Sequence, residues 1–127
     1  MIVDDYRAIA RRLAAPAAPD APAAPRFAEL RWGRHWMAPM FEKVAAAARS
    51  HGAGEVPEGE VMQAVAELPN GHRASFVAGP MVFAGWKPGL YEVRTTVGFE
   101  ITGTADDMQW VLDALARLPE RIEGTGR

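Results

Sequence analysis

Between Tyr91 and Thr102 the chain alternates without a break. Tyr91, Val93, Thr95, Val97, Phe99 and Ile101 take one side, and Glu92, Arg94, Thr96, Gly98, Glu100 and Thr102 take the other. Successive side chains of an extended strand point to opposite faces, so this stretch has one face that must be covered and one that water tolerates. Half-covered strands belong to antiparallel sheets, because strands of parallel sheets are buried on both faces and read as continuous apolar runs. The chain is therefore committed to an antiparallel sheet with something packed on one side.

The next segment supplies that cover. Thr104 and Asp107 resemble a capping box, and Asp106 and Asp107 suit the positive end of a helix dipole. Met108, Val111, Leu112, Leu115 and Leu118 then form one apolar stripe, which Pro119 ends. Upstream, Glu60 to Leu68 suits either a helix face or a strand. Pro69-Asn70-Gly71 and the alternation of His72, Ala74, Phe76 and Ala78 beyond it favour a strand and a hairpin. Met81 to Trp86 reads as a further short strand, and Lys87-Pro88-Gly89 places proline and glycine where a type II turn takes them. Met37 to Ser50 reads as a helix, with Pro39 in its first turn and a stripe of Met40, Phe41, Val44, Ala47 and Ala48. The expected fold is α+β: a four-stranded antiparallel meander packed by helices, in one domain over residues 26–127.

Ahead of that domain, residues 1–13 predict an amphipathic helix, capped by Asp4 or Asp5, with Tyr6, Ile9, Ala10 and Leu13 on one face. So short a helix is marginal alone and must dock. Residues 14–25 form an Ala/Pro-rich linker in which Pro16, Pro19, Pro22 and Pro25 recur every third residue, the repeat of polyproline II. Such a rod spans about 37 Å, against a radius of gyration of about 14 Å for a domain of this size. The helix can thus lie on its own domain, on a partner, or on a sister subunit as a swapped homodimer.

Composition narrows the chemistry. Hydrophobic residues make up 49% of the 127 residues and charged ones 24%, enough for a core without a metal or disulfide. Cysteine is absent, which removes thiolate metal sites and thiol nucleophiles and suits a reducing compartment. Acidic Asp4 and Asp5 stand where a secretory signal carries basic residues, and no apolar run approaches the ~18 residues of a membrane span. The expectation is a cytoplasmic protein, not a membrane one. A net charge of −2 gives no long-range pull toward phosphate backbones, so nucleic acid is an unlikely partner. Lys43 and Lys87 are the only lysines amid plentiful arginine and alanine, a bias that suggests a GC-rich bacterial or phage genome.

Catalytic templates fail for specific reasons. Gly79 to Lys87 lacks phosphate-loop spacing, and a hairpin rather than a helix is expected after it. Ser75 and His72, an odd number of residues apart on one strand, face opposite ways and cannot form a nucleophile and base. His35, His51 and His72 lie in distant segments without the i, i+4 spacing of helical metal ligands, so no metal or other cofactor is expected, and surface or capping roles are. What remains are two groups suited to binding. Trp32, Arg34, His35 and Trp36 combine indoles with guanidinium forks, the chemistry of interface hot spots; alternatively Trp32 and Trp36, four apart, both anchor in the core. Trp86, Lys87 and Tyr91 flank a hairpin tip, where Trp86 is either a binding aromatic or a cover for Tyr91.

The expected function is a non-catalytic protein-interaction module, an adaptor, inhibitor, or immunity- or phage-associated regulator acting through this aromatic and arginine patch and the tethered helix. One alternative is a small-molecule-binding domain or minor enzyme with a pocket between the sheet and last helix, lined by Met62, Phe76, Phe99 and Trp110. The other is a single-stranded nucleic-acid binder using Trp32, Arg34 and Trp36.

Overall fold

The computed structural model describes residues 23–52, 56, 59–83, 85–98 and 100–120. The helix expected over 1–13, and with it the homodimer it would form, lies outside them, as does all of the linker before Ala23. A 3-10 turn (Phe27–Glu29) leads into strand β1 (Gly33–Arg34) and helix α1 (Ala38–Ser50). Strands β2 (Met62–Glu67), β3 (Arg73–Ala78), β4 (Tyr91–Thr95) and β5 (Glu100–Gly103) follow, and helix α2 (Ala105–Ala116) completes the described elements. The strands form one antiparallel sheet in the order β1-β2-β3-β4-β5. Among the described residues no helix is long and apolar enough to cross a membrane.

The α+β architecture agrees with the alternation, but among the described residues the sheet has five strands rather than four, and one of them is the short edge strand β1, which the sequence reading did not include. Residues 91–102, expected as one strand, fold back on themselves. Gly98, with φ 89°, closes a turn by donating its N–H to the Thr95 carbonyl at 3.0 Å. The reason is length: twelve extended residues would run about 40 Å, twice the reach of a six-residue neighbour such as β3. The core side survives the fold because Val93 pairs directly with Ile101, so both stay on the same face. The strand expected over 81–86 does not form; Gly79, Met81 and Gly85 all have positive φ there, and β3 pairs directly with β4. The turn at 87–90 is as expected, with Leu90 N–H bonded to the Lys87 carbonyl at 3.0 Å and Gly89 at φ 89°.

One face of the sheet carries Ala64, Ala66, Ala74, Phe76, Val93 and Ile101, and α2 covers it with Met108, Val111, Leu112 and Leu115. The helix starts at the expected capping box. Thr104 N–H donates to an Asp107 carboxylate oxygen at 2.9 Å, and Asp107 N–H returns to the Thr104 hydroxyl at 3.4 Å. Its other end is held by the β2–β3 turn. Asn70 Nδ2 donates to the carbonyls of Leu115 and Leu118 at 2.8 and 3.1 Å, tying the turn to the end of the helix and the residues just past it. His72, expected as a surface or capping residue, is instead buried. Its Nε2 donates to the Pro119 carbonyl at 3.1 Å, which leaves Nδ1 to accept from the Thr96 hydroxyl at 3.0 Å.

The last residues assigned to the linker are docked rather than free. Ala24 packs on the core, and the Gln109 side chain clamps the chain entering the domain, donating to the Pro25 carbonyl at 3.0 Å and accepting from Phe27 N–H at 2.7 Å. Phe27 is thereby driven into the core against Phe76.

Helix α1 begins at Ala38 with proline in its first turn, but its buried face is not the expected stripe. Ala38 and Ala45 are buried and Phe41 and Ala48 half-buried, whereas Met40 and Val44 point outward. The small side chains of Ala38 and Ala45 take the inner face, and the larger Met40 and Val44 are left outside. Glu42 fixes this placement by pairing with Arg34 of β1 and accepting Val61 N–H at 3.2 Å.

Candidate functional site

The face of the sheet away from α2 presents Gln63, Val65, Ser75, Val77, Glu92 and Arg94, alternating with the core residues. The segment entering α1 overhangs this face. Between them lies a hollow of about 370 Å³, walled by His35, Trp36, Met37, Phe41 and Val82 and floored by Gln63, Ser75, Val77, Glu92 and Arg94.

The walls are aromatic because the chain turns sharply after β1. His35 N–H bonds to the Val61 carbonyl at 2.9 Å, and the His35 ring turns back so that Nδ1 accepts Met37 N–H at 3.0 Å. That fixes Nε2 as the proton-bearing nitrogen and holds the ring for its neighbours. Trp36 stacks on it at 6.0 Å between centroids and 23° between planes, and Phe41 tilts against it at 5.9 Å. Trp36 is 77% exposed in the turn before α1, and Met40 (48%) and Val44 (46%), four apart within α1, make a ridge on the outside of the helix that begins there.

The floor is polar and unevenly charged. Gln63 Nε2 donates to the Ser75 hydroxyl at 3.1 Å, so that hydroxyl's partner is an amide rather than a base. Arg94 Nε sits 2.9 Å from Glu100 but 3.8 Å from Glu92, whose side chain is only 17% exposed. Burial pushes the Glu92 carboxyl above its ordinary value of 4.5; Arg94 pulls it down and Glu100 pushes it up by smaller amounts. In the folded protein Glu92 thus holds its proton more tightly than in the unfolded chain. The penalty for burying its charge is complete above the folded pKa and disappears as pH falls through that value to 4.5. Glu92→Gln is therefore expected to be more stable than the parent at neutral pH, with the advantage gone below 4.5; paired urea titrations across pH measure it.

The seven residues singled out from sequence separate. His35 and Trp36 come together in the hollow. Trp32 turns the other way, onto Phe27 at 5.8 Å and Tyr91 at 5.5 Å beside the core, so the two indoles do not share a face. Arg34 is held by Glu42. Tyr91 packs on Phe27 at 4.9 Å, while Trp86 sends its indole N–H to the Leu90 carbonyl at 3.0 Å; Lys87 is exposed at the turn. The floor residues Gln63, Ser75, Glu92 and Arg94 were visible in the sequence only as the wet side of strands; nothing in their spacing showed that α1 would overhang them. The pocket expected on the α2 side falls where Phe76 packs with Phe27 and Met108 in the core, and Phe99 lies outside the described residues.

Among the described residues no three His, Asp or Glu side chains gather as metal ligands. Comparison with known proteins leaves the geometry to speak for itself: no family model matches the chain, and neither a curated protein nor a solved structure matches it.

Proposed function

We propose that the chain is a non-catalytic protein-binding module whose recognition surface is the hollow on the open sheet face together with the ridge of Trp36, Met40 and Val44. The observation that carries this reading is the exposure of an indole at the mouth of a recess, followed in the chain by two further large apolar residues exposed on one face of α1. Apolar side chains of that size are left in water at a cost, and a rigid aromatic beside a concave site is the usual anchor of a protein interface. The occupant is a segment of another protein that lays apolar side chains along the ridge and inserts one long side chain into the hollow. Residues 1–13, an apolar-striped segment on a proline tether, supply a second contact in this scheme or pair with a sister copy. The setting is cytoplasmic, in keeping with the absence of cysteine.

Selection from a displayed peptide library tests the proposal whatever the partner's identity. Peptides enriched on the parent protein are expected to lose about tenfold or more in affinity for Trp36→Ala, the size of a hot-spot truncation, while Lys87→Ala leaves affinity unchanged. Enriched peptides that bind Trp36→Ala as tightly as the parent would rule the surface out.

A further inference from the structure

We propose that the long side chain received by the hollow is an arginine of the partner, its guanidinium lying along the Trp36–His35 stack and reaching the Glu92 carboxylate below. The inference rests on the protein-binding reading and assigns the chemistry of its central contact.

Charge selects a cation. Glu92 on the floor and Glu100 on the neighbouring strand share the Arg94 guanidinium, whose Nε lies nearer Glu100, at 2.9 Å against 3.8 Å, so the three side chains together carry one net negative charge. Glu92 is left with a side chain only 17% exposed and a looser hold on the guanidinium it shares. For the same reason the floor is a poor anion site, since Arg94 already has a carboxylate at hydrogen-bond distance. Gln63 and Ser75 satisfy one another and add no charge.

A buried acid that raises its own pKa weakens the fold, as the expected gain from Glu92→Gln expresses, and such costs are retained where a site needs them. An incoming cation would replace the water that Glu92 has lost and turn the penalty into a charge-assisted hydrogen bond.

Shape selects arginine over lysine. The planar guanidinium stacks on aromatic faces and forks to a carboxylate, whereas an ammonium is a compact, strongly hydrated point charge. The hollow offers both surfaces: a stacked indole and imidazole at 6.0 Å on the wall, and a carboxylate on the floor. Its volume of about 370 Å³ is at the small end for ligand pockets, in keeping with one long side chain.

Amide chemical-shift mapping on the full chain, with N-acetyl-arginine amide as probe and the lysine and glutamate analogues beside it, tests the assignment. Arginine amide is expected to move the Trp36 indole and the amides of His35, Ser75 and Glu92, saturating in the millimolar range. Binding should weaken about tenfold in Glu92→Gln, the loss of a hydrogen bond to a charged group, and severalfold for the lysine analogue. Glu92→Gln is a sound control because its fold is expected to be at least as stable as the parent's. No saturable shift with arginine amide, equal affinity for Glu92→Gln, or a stronger response to the glutamate analogue would overturn the proposal. If arginine amide fails while selected peptides still depend on Trp36, the guanidinium assignment falls and the protein-binding reading stands; if the peptides too are indifferent to Trp36, both fall.

Discussion

Replacing Phe27 with alanine is expected to lower the unfolding free energy by about 3–5 kcal/mol, the range for truncating a buried aromatic to alanine. Phe27 belongs to a single 3-10 turn, yet its ring meets Trp32, Phe76 and Tyr91 edge-on at 5.8, 5.0 and 4.9 Å, and it is only 5% exposed. Edge-to-face pairs add to area burial, so truncation removes three such contacts as well as the ring's own transfer energy. The void cannot collapse easily, because Gln109 holds the backbone entering the residue, at the Pro25 carbonyl and the Phe27 N–H. A urea midpoint reports the loss, and a change under about 1 kcal/mol would mean that the segment before β1 is not part of the core.

Gly79→Ala is the second large effect, expected at about 2–6 kcal/mol. At φ 136° the backbone is one that L side chains rarely adopt, and strain there costs roughly 1–3 kcal/mol. A β-carbon would also stand 2.6 Å from Val61 Cα and 2.7 Å from the Glu60 carbonyl oxygen. Those atoms are backbone and cannot swing aside, so overpacking adds about 1–3 kcal/mol. Gly85→Ala shares the positive φ but has no atom within 4 Å of the added carbon, so it isolates the conformational part. Equal melting losses for the two variants would show that the close crossing of residues 61 and 79 is not real.

The parts of the fold legible in the sequence were those governed by period and by local hydrogen bonding. Alternation over 91–102 showed which side chains would be buried, and Thr104 with Asp107 showed where the last helix would start; both depend on neighbours a few residues apart. The number of strands was not legible, because the fold-back pairs Tyr91 with Gly103 and Val93 with Ile101, odd residues with odd, and so leaves the alternation of the paired residues unchanged, while the two residues of β1 carry no pattern at all. His72 was misplaced because its two partners, Thr96 and the Pro119 carbonyl, are distant in sequence, one in the turn after β4 and the other just past the end of α2. Met40 and Val44 misled for a related reason: Glu42, tied to Arg34 and Val61, turns the small Ala38 and Ala45 inward, and side-chain size alone favoured the wrong face. Of the site, His35 and Trp36 stood out by type, whereas Glu92 is one of several acids on a wet face and becomes distinctive only under the overhang of α1.

The location of the recognition surface is tested most directly by methyl and indole nuclear magnetic resonance on a complex with a library-selected peptide. If the open face is the site, the Met40 and Val44 methyls and the Trp36 indole shift on binding, while those of Leu112 and Leu115 in α2 do not. Shifts confined to α2 and the core, with Trp36, Met40 and Val44 unmoved, would contradict it.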